Sequence, residues 1–224
     1  MEKVLMSWSG GKDSAMALRE IMAGGEYQIA GLLTTITGEY DRISMHGVRR
    51  SLLEQQASSL GLHPEEVILP KGSSNADYES RIAETLNRYK EAGVTSVVFG
   101  DIFLEDVRQY REENLSRLGM KGVFPLWKRD TAALMKDFIA SGFKAVTVCV
   151  DNHFLGRDFV GRTIDAGFLS DLPPSVDVCG ENGEYHSFVY GGPIFGRAIA
   201  HEVGEVVLRE DRFYYCDLIP ARKC

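Results

Sequence analysis

Val4-Leu5-Met6-Ser7-Trp8-Ser9-Gly10-Gly11-Lys12-Asp13-Ser14-Ala15-Met16-Ala17-Leu18 is the stretch that decides how this chain folds. Val4–Ser7 reads as a buried strand, short and apolar. It runs straight into Ser9–Ser14, and Asp13–Met22, apolar on several sides, follows at once as a deeply packed helix. Gly10 and Gly11 let the backbone turn tightly and approach a ligand without obstruction by Cβ. The start of the helix adds unpaired N–H groups and the positive end of its dipole. Ser9 and Ser14 supply hydroxyls and Lys12 a positive charge, while Asp13 either caps the helix or helps hold Mg²⁺ through water. The plain alternative is a strand-to-helix turn with Asp13 or Ser14 as its cap. A bare Gly-Gly would favour that turn, whereas this whole pattern in strand–loop–helix context favours a phosphate.

Outward from this loop, short apolar runs alternate with segments of helical period. Ile29–Ile36, Val67–Leu69, Val94–Phe99 and Ala145–Val150 read as further buried strands. Val48, Leu52 and Leu60 mark the face of one intervening helix, and Tyr78, Ile82, Leu86 and Tyr89 form one stripe of the next. Glu105–Leu118 and Thr131–Ile139 supply two more. Alternation of this kind predicts an α/β fold with a five-stranded parallel, doubly wound sheet, helices on both faces and ligands along the edge where the strands end. After about Asp151 glycine becomes frequent, Pro173-Pro174 breaks any helix, and Glu205–Leu208 and Phe213–Leu218 flank a charged turn as a hairpin would. The expected division is residues 1–150 as the nucleotide-binding unit and 151–224 as a smaller β-rich lobe on the substrate side.

Composition narrows the function classes. The 224 residues carry a net charge of −7, so the chain as a whole repels nucleic acid, and no basic stripe stands out. Cys149, Cys179, Cys216 and Cys224 show neither redox nor zinc spacing, and none of the five histidines pairs at metal-ligand spacing. The opening residues lack the apolar stretch of a signal peptide and no segment is long enough to span a bilayer, so a cytoplasmic protein is expected.

Ser-Gly-Gly-Lys-Asp-Ser at Ser9–Ser14 resembles the PP-loop of the N-type ATP pyrophosphatases. It differs from the Gly-x-x-x-x-Gly-Lys-Ser/Thr loop; Gly191–Gly196 comes near that pattern, but Arg197-Ala198 follow where Lys-Ser/Thr is required. Four further segments look like the diphthine–ammonia ligase family: Gly100-Asp101-Ile102 with Arg108, Glu112 and Arg117-Leu118-Gly119; Pro125-Leu126-Trp127; Gly180–Ser187; and Gly192-Pro193-Ile194-Phe195. Their order is more specific than any one of them, and the resemblance runs from the first strand to about Phe195. It implies an adenine nucleotide alpha hydrolase-like fold, ATP as cofactor and an AMP-forming amide ligase. Family members amidate a modified histidine on elongation factor 2. Where the diphthine-amidating branch carries Glu-Gly-Gly-Glu-Tyr-Glu-Thr, this chain has Glu181-Asn182-Gly183-Glu184-Tyr185-His186-Ser187, and Ser44–Val48 is similar to a broader set of relatives.

The remaining candidates carry two readings each. Glu181 and Glu184, on a glycine-flanked loop, suit Mg²⁺ binding, ammonia orientation or proton acceptance, against a solvated acidic turn. Gly100 and Asp101 belong to the ligand edge, against a turn. Arg108 suits neutralisation of phosphate, held by Glu112 one turn on, against a surface ion pair. His46 suits a protonated donor to phosphate, against an exposed loop histidine. Backbone around Leu33–Thr35, including Thr34, suits the adenine, with Trp8 and Trp127 either bordering it or buried in the core. The expected partners are ATP with Mg²⁺, ammonia or an amine, and a carboxylate acceptor such as diphthine. A nucleotide-binding sensor and a tRNA-modifying enzyme are the rival readings.

Overall fold

A computed structural model describes residues 1–221, so Cys224 lies outside the described residues. The first part of the chain runs β1 (Glu2–Ser7), α1 (Lys12–Gly24), β2 (Tyr27–Thr37), β3 (Arg42–Ile43), α2 (Arg50–Leu60), β4 (Pro64–Leu69), α3 (Asn75–Glu91), β5 (Val94–Val98), α4 (Glu105–Arg117) and β6 (Lys121–Val123). Strands β4, β2, β1, β5 and β6 lie side by side and all parallel. The two-residue β3 pairs antiparallel with the far end of β2. The chain winds from β1 toward β2 and β4 on one side and then returns to add β5 and β6 on the other. The order therefore reverses between β1 and β5, the switch point beside which a parallel sheet of this kind places its ligand crevice.

Alternation along the strands divides the core. Val4 and Met6 of β1 and Leu32 and Ile36 of β2 enter the larger apolar cluster, with α1, α2 and the second sheet. Leu5 and Leu33 face the opposite way, into a cluster with Val67, Leu86, Val97, Phe99 and Leu115. The predicted α3 stripe packs there, with Leu86 buried and Tyr78, Ile82 and Tyr89 beside it. The parallel sheet is thus covered on both faces, which is why its strands read as unbroken apolar runs.

The second part runs α5 (Thr131–Ala140), β7 (Lys144–Asp151), α6 (Ala166–Asp171), β8 (Tyr185–Gly191), β9 (His201–Arg209) and β10 (Phe213–Pro220). These strands form a separate antiparallel sheet in the order β8-β7-β10-β9. The expected hairpin is β9 and β10, turning at Glu210 and Asp211, both in the left-handed region. One strand assignment needs correction. Ala145–Val150, expected as one of the five parallel strands, is β7 of the second sheet, and the fifth parallel strand is Lys121–Val123. β7 is buried on both faces from Ala145 onward, so its run of apolar residues looks the same in either kind of sheet. β6 spans three half-exposed residues including a glycine, too short to show a period.

The two sheets are tied along a polar seam. Asp217 of β10 accepts from Arg49 Nε at 2.9 Å and Nη2 at 2.6 Å, and also pairs with Arg42. Ser59 Oγ at the end of α2 donates to Arg197 O at 2.6 Å. At Gly47, which has a positive φ, an added Cβ would meet the Tyr215 ring at 2.9 Å, so glycine lets the loop after β3 lie against β10.

Candidate active site

Gly10 adopts φ +76°, which turns the chain sharply out of β1. Gly11 then begins α1 with no side-chain cap. The Gly11 N–H reaches Ser9 Oγ at 3.3 Å and the Lys12 N–H reaches Ser187 Oγ on β8 at 3.1 Å. The N–H groups of Ser9, Gly10, Asp13 and Ser14 have no hydrogen-bond partner among the described residues. A helix that leaves its leading amides free beside a left-handed glycine is an anion cradle. Ser14 Oγ donates to Gly11 O at 2.9 Å and lies 3.3 Å from Ser9 Oγ, so both predicted hydroxyls line the turn.

Gln56 on α2 holds this turn in place. Fully buried on α2, its Nε2 donates to Gly10 O at 3.0 Å and Val189 O at 2.6 Å, and its Oε1 accepts from Trp8 Nε1 at 3.0 Å. The Val189 N–H also donates to Gly10 O, at 2.9 Å. One amide thus fastens the end of β1, the glycine turn and β8. A glutamine within an ordinary helix forms no motif, so no local signal marked it. Trp8 is core, and the Thr34 hydroxyl donates to Trp8 O at 2.6 Å, leaving backbone rather than side chain to face a ligand at that place.

Lys12 is 2% exposed. Its ammonium sits 2.9 Å from Asp13 Oδ2 and 4.9 Å above the Tyr185 ring. Burial alone would lower the Lys12 ammonium, but the Asp13 carboxylate and the neighbouring Tyr185 and Cys179 groups outweigh it and keep the charge in place. Burial raises the Asp13 carboxyl although Lys12 pulls the other way. Asp13 Oδ1 is buried without a hydrogen-bond partner.

Opposite the cradle lies the loop from Asp177 to Ser187, where carboxylates accept from backbone. Glu181 Oε1 takes the Ile102 N–H at 2.7 Å, which places this residue against the end of β5. Asp177 Oδ2 takes the N–H groups of Cys179 and Glu181, each at 3.1 Å. Glu184, 1% exposed, takes the Asp177 N–H and Asn182 Nδ2 on Oε1, each at 3.0 Å, while its Oε2 is buried and unpartnered. Burial pushes the Glu181 carboxyl up to about 7, against the Ile102 N–H that would lower it and with the Asp13 charge adding to the rise. Gly180, at φ +64°, is required because a Cβ there would meet the Tyr185 ring at 2.7 Å.

Gly100 packs against the start of α1, since a Cβ on it would come within 2.8 Å of the Asp13 backbone. Asp101 pairs with Arg111 at 2.8 Å, an arginine the sequence reading did not single out. Arg108 pairs with Glu112 as expected, at 2.8 Å, and lies against Phe124 and Trp127 rather than the cradle. His46 Nδ1 lies 3.3 Å from Ser187 O, and its ring centre is 4.7 Å from that of His186. Burial lowers His46 to about 4 and His186 to about 3, the nearby Lys12 adding to both. The structure therefore brings Ser9–Ser14, His46, Gly100, Asp101, Glu181 and Glu184 to one seam and leaves Arg108 at its margin. Exposed surface remains at Ser9, Asp13, Gly100, Asp101 and Glu181, which marks the open side.

With that geometry in hand, comparison with known proteins is decisive. The diphthamide synthase N-terminal domain matches residues 2–122 and the diphthamide synthase C-terminal domain matches residues 130–218. The chain belongs to the diphthamide synthase family. The diphthine–ammonia ligase of Danio rerio is 27% identical over 91% of this chain and 88% of its own length, and that of Homo sapiens 27% over 89% and 83%. The diphthine–ammonia ligase of Schizosaccharomyces pombe is 29% identical over 92% of this chain but only 37% of its own length. A solved structure of a predicted tRNA methyltransferase subunit from Methanocaldococcus jannaschii aligns over 64% of this chain with a TM-score of 0.39 and 19% identity, too distant to carry weight. Family membership makes this diphthamide synthase homologue an ATP-dependent, AMP-forming carbon–nitrogen ligase, and the sensor reading gives way to an enzyme. No helix among the described residues is long and apolar enough to cross a membrane.

Proposed function

We propose that this chain amidates the carboxylate of diphthine on elongation factor 2 with ammonia, through an acyl-adenylate. The observation that carries the reading is the glycine turn at Gly10–Ser14, with the Gly10, Asp13 and Ser14 amides free of partners, set beside the carboxylate loop at Asp177–Ser187. The cradle receives the phosphates of ATP, with Lys12 supplying positive charge from below and the backbone of Leu33–Thr35 meeting the adenine. An acceptor oxygen forms a bond to the α-phosphorus as the bond to the bridging oxygen of pyrophosphate breaks. The free amides of Asp13 and Ser14 meet the charge that develops, already oriented before the reaction starts. Ammonia then attacks the acyl carbon and AMP departs with its oxygen. Glu181, held near neutrality by burial, takes the proton that the nitrogen loses. Glu184 acts by fixing the loop: its bond to the Asp177 N–H sets the chain that carries Glu181.

Magnesium fits this site as a companion of the nucleotide. Asp13 Oδ1 is buried without a partner, whereas no three His, Cys, Asp or Glu side chains among the described residues converge as a metal cage. Asp13 would hold an ion carried mainly by phosphate and water, and the ion would neutralise the departing pyrophosphate. A cytoplasmic location goes with this reading, since a translation factor is its acceptor.

The test is to incubate the protein with radiolabelled ATP, ammonium and diphthine-bearing elongation factor 2. Equal amounts of AMP, pyrophosphate and amidated factor are expected. Intact ATP, or AMP formed without amide, would rule the reading out.

A further inference from the structure

Beside the crevice, at the ends of β5 and β6, lies a cluster of arginine and aromatic side chains. The Arg108 guanidinium lies over the corner formed by two edge-on rings, 4.7 Å from the centre of Phe124 and 4.6 Å from that of Trp127. Its Nε donates to Glu112 Oε1 at 2.8 Å, while its two terminal nitrogens bond no group among the described residues. The two cation–π contacts and the Glu112 bond restrict the side chain and leave the terminal fork of N–H donors open. The side chain is 29% exposed and so within reach of solvent.

Arg111 lies 4.5 Å from the centre of the Phe99 ring but pairs with Asp101, and Lys128 pairs with Glu105, which leaves Arg108 as the arginine here with an open fork. The cluster is joined directly to the carboxylate loop. The Lys128 N–H, next to Trp127, donates to Ile102 O at 2.7 Å, and the Ile102 N–H donates to Glu181. The nearby cations Lys12 and Arg111 are already paired with Asp13 and Asp101, so neither is free to receive a further carboxylate. The open fork of Arg108 at the margin is, and a bidentate contact gives an incoming carboxylate a geometry as well as a partner.

We propose that Arg108, flanked by Phe124 and Trp127, is the acceptor-binding residue that receives the carboxylate of the molecule to be amidated, rather than a ligand to the phosphates of ATP. This rests on the ligase reading above and deepens it by placing the acceptor on the α4 side of the crevice.

The experiment compares wild type with Arg108→Gln and Arg108→Lys, measuring KM for diphthine-bearing elongation factor 2 and, separately, the Kd for ATP. Loss of a charged bidentate contact should raise the acceptor KM of Arg108→Gln by about tenfold to a hundredfold. The ATP Kd should stay within about twofold, and Arg108→Lys, which keeps the charge but loses the fork, should fall between. An ATP Kd that weakens in step with the acceptor, or a KM unchanged in both variants, overturns the proposal. If the wild type amidates nothing, the acceptor reading has failed and the fork is tested alone. Phenylglyoxal modification of Arg108, followed by mass spectrometry, should then be slowed by glutarate and not by chloride at equal ionic strength, and equal rates overturn it.

Discussion

The turn at Ser9–Ser14 and the loop at Asp177–Ser187 face each other across the seam and are built with opposite polarity. The first presents backbone donors at the start of a helix and leaves several of them free. The second turns its carboxylates onto backbone N–H groups: Asp177 and Glu184 shape their own loop, and Glu181 accepts from the segment that follows β5. In the proposed reading one side takes the anion and the other the proton or the nitrogen nucleophile. The two are joined directly by the Lys12 N–H to Ser187 Oγ bond. Lys12 sits at the junction, the buried cation that both loops surround.

If the donor side carries the nucleotide chemistry, Asp13→Asn should cut AMP formation by about a hundredfold to a thousandfold while the fold is retained. Steady-state assays alongside circular dichroism would read this, and near-normal turnover would break the contrast between the two loops.

Gln56→Leu should have the next largest effect, because it unfastens the cradle from the second sheet. It leaves Trp8 Nε1, Gly10 O and Val189 O without their buried partner, at a cost of roughly 2–4 kcal/mol. Denaturant unfolding would measure the loss, and ATP binding should weaken with it. A variant of unchanged stability would show that the single Val189 N–H to Gly10 O bond is enough to hold the turn to β8.

Glu181→Gln should have the smallest effect and sharpens the acceptor side. Its folded-state carboxyl is raised to about 7 from 4.5, so the native state binds the proton more tightly than the unfolded chain. The resulting contribution to stability is complete below about pH 4.5 and is lost as pH rises through about 7. The variant has no such titration. Its stability relative to wild type should therefore climb between those values and level off above, and a flat difference would show that the carboxyl is not held in its neutral form.

Not every part of this arrangement was equally legible. The cradle could be read because strand, glycines and helix start are consecutive, and a local sequence suffices for a local shape. The i,i+4 pair of Arg108 with Glu112 was legible for the same reason. The pairing of Arg111 with Asp101 was not, although both lie within a few residues of the quoted motif, because it depends on how α4 tilts back over the end of β5. β7 was read as a strand but placed in the wrong sheet, since burial on both faces erases the alternation that would mark its partners. For His46 the sequence shows neither the burial nor the nearby Lys12 charge that together lower its imidazole to about 4.

By itself, then, the sequence determined the α/β character, the anion-binding turn and the carboxylate-bearing loop, each written in contiguous residues whose backbone preferences do not depend on distant partners. Only the tertiary structure decided that these segments meet, that Gln56 fastens one to the other, and that Glu181 reaches the end of β5. Such contacts join residues 46 to 133 positions apart. Chain connectivity imposes no period or spacing at that range, and packing of the two sheets selects the pairs.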